Sequence, residues 1–265
     1  MIRVAAVGDV HFDRSSSGRI RNYLPEIQRQ ADLLLLAGDL TQTGDLDEAH
    51  VLAKDLANFP IPVVAVLGNH DFQLGQDREL AALLEEYGIT VLEGEAVKFR
   101  VRDTEVGVAG VKGFGGGFPG ACASEFGETV MKDFIRYTKS QAALLKSALL
   151  SLDTPYKIAL MHYSPIKTTL QGEPREIYPF LGSYLLSEAV DEARADIVFH
   201  GHAHKGTEKG VTFGGIPVRN VAQPVIRHVC NIYSLNKEGV GHKAEPVPYQ
   251  FSTRSSKEGI SAVGL

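Results

Sequence analysis

Five short apolar runs, each discharging into a polar cluster of similar make-up, constrain this chain more than any other feature. Ile2–Val7 ends in Gly8-Asp9-Val10-His11, and Leu33–Ala37 in Gly38-Asp39-Leu40-Thr41-Gln42-Thr43-Gly44. Val63–Leu67 ends in Gly68-Asn69-His70-Asp71, Lys157–Met161 in His162-Tyr163-Ser164-Pro165, and Asp196–Phe199 in His200-Gly201-His202-Ala203-His204. Runs rich in Val, Ile and Leu without alternation read as strands buried on both faces, the pattern of parallel sheets lying between helices. Val106–Val111 has the same character. Helix-period segments separate the early runs. Asp45–Phe59 places Leu46, Ala49, Leu52 and Leu56 on one face behind an acidic first turn, and Asp77–Tyr87 carries Leu80, Leu83 and Leu84 before stopping at Gly88. Ser140–Leu150 and Tyr184–Arg194 read as two further helices, so the order predicts an α/β fold around a parallel or mixed sheet. Ile216–Val221 and His228–Leu235 alternate more, and the turn-like Gln223-Pro224 between them predicts an antiparallel hairpin.

The 265 residues include 27 basic and 32 acidic side chains, a formal charge of −5. That balance argues against a protein that coats nucleic acid, yet leaves phosphate esters open because bound cations reverse a local field. No Pro/Ser-rich linker divides the chain, so one domain is expected over residues 1–245, with a polar tail over 246–265 that wraps the surface or moves. Cys122 and Cys230 make no disulfide framework, and the first residues lack the sections of a secretory leader. A reduced, cytoplasmic setting without a membrane partner is therefore expected.

In open α/β sheets, ligands bind beyond the carboxyl ends of the strands. Five strand ends that bring carboxylate, amide and imidazole to one rim point to a metal centre with oxygen and nitrogen donors. Such donors suit Mn, Fe, Zn, Co or Ni, and the lack of clustered cysteines argues against iron–sulfur and structural zinc. Asp9 and His11 share one side of an extended segment, as do His202 and His204. Asp39 offers two oxygens and can bridge two cations, which at ~3.5–4 Å separation clamp both oxygens of an in-line displacement.

The ordered series DxH, GDLxxxG, GNHD, H and GHxH, from residue 8 to residue 204, resembles the calcineurin-like metallophosphoesterase superfamily. The GDLTQTG block and the compact length most resemble its bacterial branch containing class III cyclic-nucleotide phosphodiesterases. The resemblance implies a four-layer α/β sandwich, two facing mixed β-sheets flanked by helices. It also implies two metal ions, manganese and/or iron foremost, with zinc, nickel or cobalt as alternatives. Asp9, His11 and His204 would hold one, Asn69, His162 and His202 the other, and Asp39 would bridge. His70 would contact the phosphoryl group or leaving oxygen, oriented by Asp71. Tyr163 stands where many relatives carry a second histidine and is a candidate to line the cleft. The implied activity is hydrolysis of a small-molecule phosphate ester, a phosphodiester or nucleotide-linked ester foremost, by in-line attack of a hydroxide shared by the metals. A nuclease or phosphoprotein phosphatase on the same scaffold is the alternative, and a non-catalytic interaction module the third reading. No oligomeric state follows from the sequence.

Other residues carry less. His200 is assigned a buried, hydrogen-bonded role rather than ligation. The Gly113–Gly120 segment lacks the Gly-Lys-Ser/Thr ending of a nucleotide-binding loop. It reads as a mobile loop at the cleft, where Phe114 or Phe118 can stack on a base, or as a plain connection. Lys112 is expected to end a strand in solvent, with attraction of a phosphate as the alternative. His50, His228 and His242 belong to no motif.

Overall fold

The computed structural model describes residues 1–236 and 245–248. In chain order, β1 (Ile2–Val7), α1 (Leu24–Gln30), β2 (Leu33–Ala37), α2 (Leu46–Leu56), β3 (Val63–Val66), α3 (Asp77–Glu86) and β4 (Ile89–Val91) build the first half. There follow β5 (Ala96–Val101), β6 (Thr104–Val111), β7 (Gly117–Phe118), β8 (Ala121–Cys122), α4 (Thr129–Leu150) and β9 (Tyr156–Met161). The remaining elements of the described residues are α5 (Tyr178–Leu181), α6 (Tyr184–Ala193), β10 (Ile197–His200), β11 (Lys209–Val211), β12 (Pro217–Asn220), α7 (Gln223–Ile226), β13 (Cys230–Leu235) and β14 (Glu245–Val247). No described helix is long and apolar enough to cross a membrane.

Two six-stranded mixed sheets result, ordered β14-β13-β1-β2-β3-β4 and β11-β12-β10-β9-β6-β5. Each has a parallel centre: β1 to β4 in the first, and β12, β10, β9 and β6 in the second. Antiparallel strands close both edges of the second sheet and the β13–β14 side of the first. Alternate residues of each central strand serve two cores, which is why the runs show no alternation. Val4, Ala6, Leu33, Leu35 and Val64 meet Val106, Ile158, Leu160 and Phe199 between the sheets. Ala5, Leu34, Leu36 and Ala65 turn outward to Leu52 and Leu56 of α2 and to Leu80 and Leu84 of α3. Ala109, Ala159, Met161 and Val198 do the same against Leu145, Leu149, Leu186 and Val190 of α4 and α6. Helix, sheet, sheet, helix: the four-layer sandwich expected from the resemblance is the observed architecture. A truncation such as Leu35→Ala in the sealed middle layer would cost about 2–5 kcal/mol.

Two expectations change. The hairpin expected across Gln223-Pro224 does not form: β12 runs parallel to β10 in the second sheet, whereas β13 runs antiparallel to β1 in the first. Pro224 sits in the first turn of α7, where its missing N–H costs nothing, and the segment carries the chain from one sheet to the other. The helix ending at Leu150 begins at Thr129, not Ser140; its first turns bury little, and so they leave little mark in the sequence. Val130, Met131 and Tyr137 are exposed there, so no broad apolar stripe marks them. Residues 245–247 add an edge strand to β13; most of the 246–265 tail, like His242, lies outside the described residues.

Candidate metal centre

Because β1, β2 and β3 run parallel in one sheet and β9 and β10 in the other, their carboxyl ends converge on one rim. Asp39, 1% exposed, is the hub. Its Oδ1 accepts the His70 amide at 2.9 Å and lies 3.3 Å from His162 Nε2. Its Oδ2 lies 3.8 Å from His11 Nε2 and 3.9 Å from His70 Nε2. Asp9, His11, Asp39 and His204 bring one donor atom each within 4.8 Å of one another, and so do Asp39, His162 and His202. Asn69 Oδ1 completes the second group, 3.0 Å from His162 Nε2. All seven residues that the resemblance names as ligands therefore meet in two groups joined at Asp39.

The backbone is bent to do this. Asp9, His11, Asp39 and His202 have φ of 55°, 42°, 49° and 69°, half of the eight non-glycine residues with positive φ among the described residues. Such conformations cost on the order of 1–3 kcal/mol each and gather at functional sites. Cross-strand bonds hold them: the Asp9 amide donates to the Gly38 carbonyl, the His11 amide to that of Asp39, and the His202 amide to both Asp9 oxygens. A Cβ at Gly68 would collide with the Asp39 carboxylate, and one at Gly201 with that of Asp9. Both glycines thus let backbone approach the acids.

Burial sets the charges. It pushes the Asp9 carboxyl up to about 6, against the hydrogen bond from His204 Nε2 at 2.8 Å. It pulls His11 down to about 4, His202 to about 3 and His162 well below its ordinary value. His204 alone is raised, foremost by its hydrogen bond with Asp9. Three of the four imidazoles are thus neutral near pH 7, the state that donates a lone pair to a metal. His162 Nδ1 is fixed 2.9 Å from the Ala37 carbonyl, which aims Nε2 at Asp39 and Asn69. Both ring nitrogens of His11 are buried without any hydrogen-bond partner. Orphaned nitrogens beside two buried carboxylates fit a cation, and the oxygen-and-nitrogen donor set fits Mn, Fe, Zn, Co or Ni.

His70 is placed by a group the sequence could not name. Its Nδ1 lies 2.7 Å from the Gln42 carbonyl, a main-chain atom within the GDLTQTG block. Asp71, expected to orient His70, does something else. Fully buried, it accepts from the amides of Leu40, Thr41 and Gly68 and from the Thr41 hydroxyl at 2.6 Å, tying the loops after β2 and β3 together. Arg19, in no motif, donates to the His11 carbonyl at 3.5 Å and rests on Phe12. His200 is buried against Thr169 Oγ1 at 2.9 Å and the Gly201 carbonyl at 2.8 Å. Tyr163 lies with its ring centroid 4.3 Å from that of His202, and half-buried Phe114 packs beyond it, 5.7 Å away. Phe118, 4% exposed, packs with Leu170, Leu181 and Ala203. Lys112 does not end in solvent but is buried beneath aromatic rings.

Residues 2–206 match the family model for calcineurin-like phosphoesterases. A 110-residue segment is 27% identical to the uncharacterised protein YpbG of Bacillus subtilis (strain 168), covering 40% of this chain but only 39% of that protein. Phosphopantetheinyl hydrolase (PptH) from Mycobacterium tuberculosis has a similar structure, with TM-score 0.62 and 15% identity over 83% of this chain and 88% of that one. A putative 5′-nucleotidase from Staphylococcus aureus gives TM-score 0.57 and 16% identity over 94% of this chain and 55% of that one. At such identities the likeness speaks for the fold alone. The family match, in contrast, runs from the first strand through the last histidine of the rim, and the chain belongs to the calcineurin-like phosphoesterase family.

Proposed function

We propose that this protein is a metal-dependent phosphoric ester hydrolase acting on a phosphodiester of a small molecule or nucleotide. The observation that carries the reading is the pair of donor groups joined at Asp39, with His70 Nε2 3.9 Å from the same carboxylate. Asp9, His11 and His204 would hold one ion, Asn69, His162 and His202 the other, and Asp39 both. Two bound ions would supply Lewis-acid charge for the phosphoryl oxygens and a nucleophile available at neutral pH. The chain's own residues do the rest. His70 donates Nδ1–H to the Gln42 carbonyl, which turns Nε2 towards the centre; in the imidazolium form the ring carries a second proton, on Nε2, and that one can pass to the departing oxygen. Beside His202, the rings of Tyr163 and Phe114 form an apolar wall. That wall suits the second organic arm of a diester, which a monoester lacks. Free Cys122, exposed, and Cys230, buried, fit a reduced compartment such as the cytoplasm.

The test is metal add-back. Protein stripped by chelation is given Mn²⁺, Fe²⁺, Zn²⁺, Co²⁺ or Ni²⁺ separately and assayed on p-nitrophenyl phosphate, bis(p-nitrophenyl) phosphate and 2′,3′- and 3′,5′-cyclic nucleotides. Diester hydrolysis should return with at least one metal, and His70→Ala should lower it ~10²–10⁴-fold. A protein that binds metal stoichiometrically and cleaves none of these esters overturns the reading.

A further inference from the structure

Lys112 is the first residue past β6, and its side chain leaves the sheet on the same face as that of His162. The two strands run parallel and in register up to Val111 and Met161, and the amides of His162 and Tyr163 both donate to the Lys112 carbonyl, at 3.0 and 3.1 Å. In-register parallel neighbours project to one face, so the ammonium reaches the rim of the metal centre, one strand over. The residue is 6% exposed. Among the described residues no carboxylate or carbonyl hydrogen-bonds its Nζ; Glu93, Asp77 and Asp39 act on it only at longer range. The carboxyl of Glu93 accepts the Leu67 amide, and burial pushes it up to about 7, which makes it a weak counter-ion. Instead, Nζ lies 4.1 Å from the ring centroid of Phe72, 5.3 Å from that of Tyr137 and 5.5 Å from that of Phe114.

An ammonium largely withdrawn from water and given no carboxylate is costly, and aromatic faces return only part of what water would give. Yet the cradle is not closed. Phe72 and Phe114 are only half-buried and Tyr137 is exposed, so the rings that flank the ammonium border solvent. The path from the metal centre is continuous: Tyr163 beside His202, Phe114 beside Tyr163, Tyr137 4.8 Å from Phe114. Phe72 is two residues from His70. We propose that Lys112, framed by Phe72, Phe114 and Tyr137, is a specificity subsite for a second phosphate group carried by the substrate, whose organic arm lies along Tyr163 and Phe114. An aromatic cradle alone would suit a base; the compact, three-donor ammonium at its floor suits phosphate. The proposal rests on the phosphoesterase reading of the neighbouring centre.

The experiment compares two esters on the manganese-loaded enzyme: p-nitrophenyl thymidine 5′-phosphate and the same compound carrying a 3′-phosphate. The wild type should favour the second by about tenfold or more in kcat/KM, chiefly through KM, the scale of one charge-assisted contact. Lys112→Met should bring that ratio to within about twofold, whereas Lys112→Arg should keep most of it. If Lys112→Met slows both esters equally and the ratio survives, Lys112 is only a packed structural residue and the proposal falls. Calorimetry on metal-free protein separates the two readings. Preferential binding of thymidine 3′,5′-bisphosphate over thymidine 5′-phosphate, lost in Lys112→Met, upholds the subsite even if neither ester is cleaved, in which case the phosphoesterase reading fails alone. Equal binding of the two nucleotides by the wild type overturns the subsite.

Discussion

The two donor groups share Asp39 yet are built on opposite plans. His162 is fully buried, and its Nδ1 is held by the Ala37 carbonyl and its Nε2 by Asn69. On the other side, His11 and His204 are partly exposed and crowd two buried carboxylates, and His11 has no partner for either nitrogen. One half is kept in shape by the protein's own hydrogen bonds. The other gathers two buried carboxylates and leaves both His11 nitrogens unmet. The difference separates two kinds of damage: losing side chains should hurt the fold mainly on the His162 side, and losing metal mainly on the His11 side.

The largest effect is expected where the plans meet. Asp39→Asn keeps an oxygen for the His70 amide but removes the charge common to both groups. On the proposed reading, phosphodiester hydrolysis should fall on the order of 10³-fold, and bound metal, counted by elemental analysis, should drop from two ions per chain to one or none. A variant that keeps two ions and the full rate would show that Asp39 joins nothing. Next come His162→Ala and His204→Ala. Each should weaken metal binding by about 10–100-fold or more, but only His162→Ala should also destabilise the chelated protein, by about 1–3 kcal/mol, because it leaves the buried Ala37 carbonyl unpaired and takes the imidazole from half-buried Asn69. His204 is at the surface, and below about pH 6, where its buried partner Asp9 takes up a proton, its removal should move the melting temperature little. Equal losses in the two variants would erase the contrast.

Much of the first half of the rim was legible because chemistry and position coincide there. Asp9, His11, Asp39 and Asn69 each follow an apolar run by a few residues, and parallel strands deliver their ends to one side. What stayed hidden belongs to the main chain or to long-range packing. Gln42 acts through its carbonyl, which any residue possesses. Asp71 reads as a partner of the adjacent His70, but four donors from two loops draw its carboxylate into the sheet edge. Lys112 reads as a strand end bound for solvent; only the second sheet's packing brings Phe72 and Tyr137 over it. The false hairpin has a similar cause. Pro224 marks a turn whether the next strand joins the same sheet or crosses to the other, and local pattern holds nothing to decide which.

A smaller effect would sharpen the contrast through pH. The Asp9 carboxyl is raised from 3.8 to about 6, so its contribution to stability is present below its ordinary value and is lost as pH rises through about 6. His11 and His202 are lowered from 6.5 to about 4 and about 3; their contribution is present above 6.5 and is lost as pH falls through those lower values. Chelated protein at pH 8 therefore holds the Asp9 charge at a cost, which a cation relieves. At pH 5 the cation must first displace the proton from Asp9, and from the His204 that leans on it. Affinity should fall by about tenfold per pH unit below 6 for each proton displaced. The rise in melting temperature caused by a fixed excess of Mn²⁺ should accordingly be larger at pH 8 than at pH 5, by about 3 °C for each tenfold change in a chain of this size. Asp9→Asn, which has no such proton to release, should flatten the difference. If the metal-induced rise is the same at both pH values in the wild type, the unmet charge on the His11 side is not what metal binding repairs, and the two halves of the centre are more alike than their hydrogen bonds indicate.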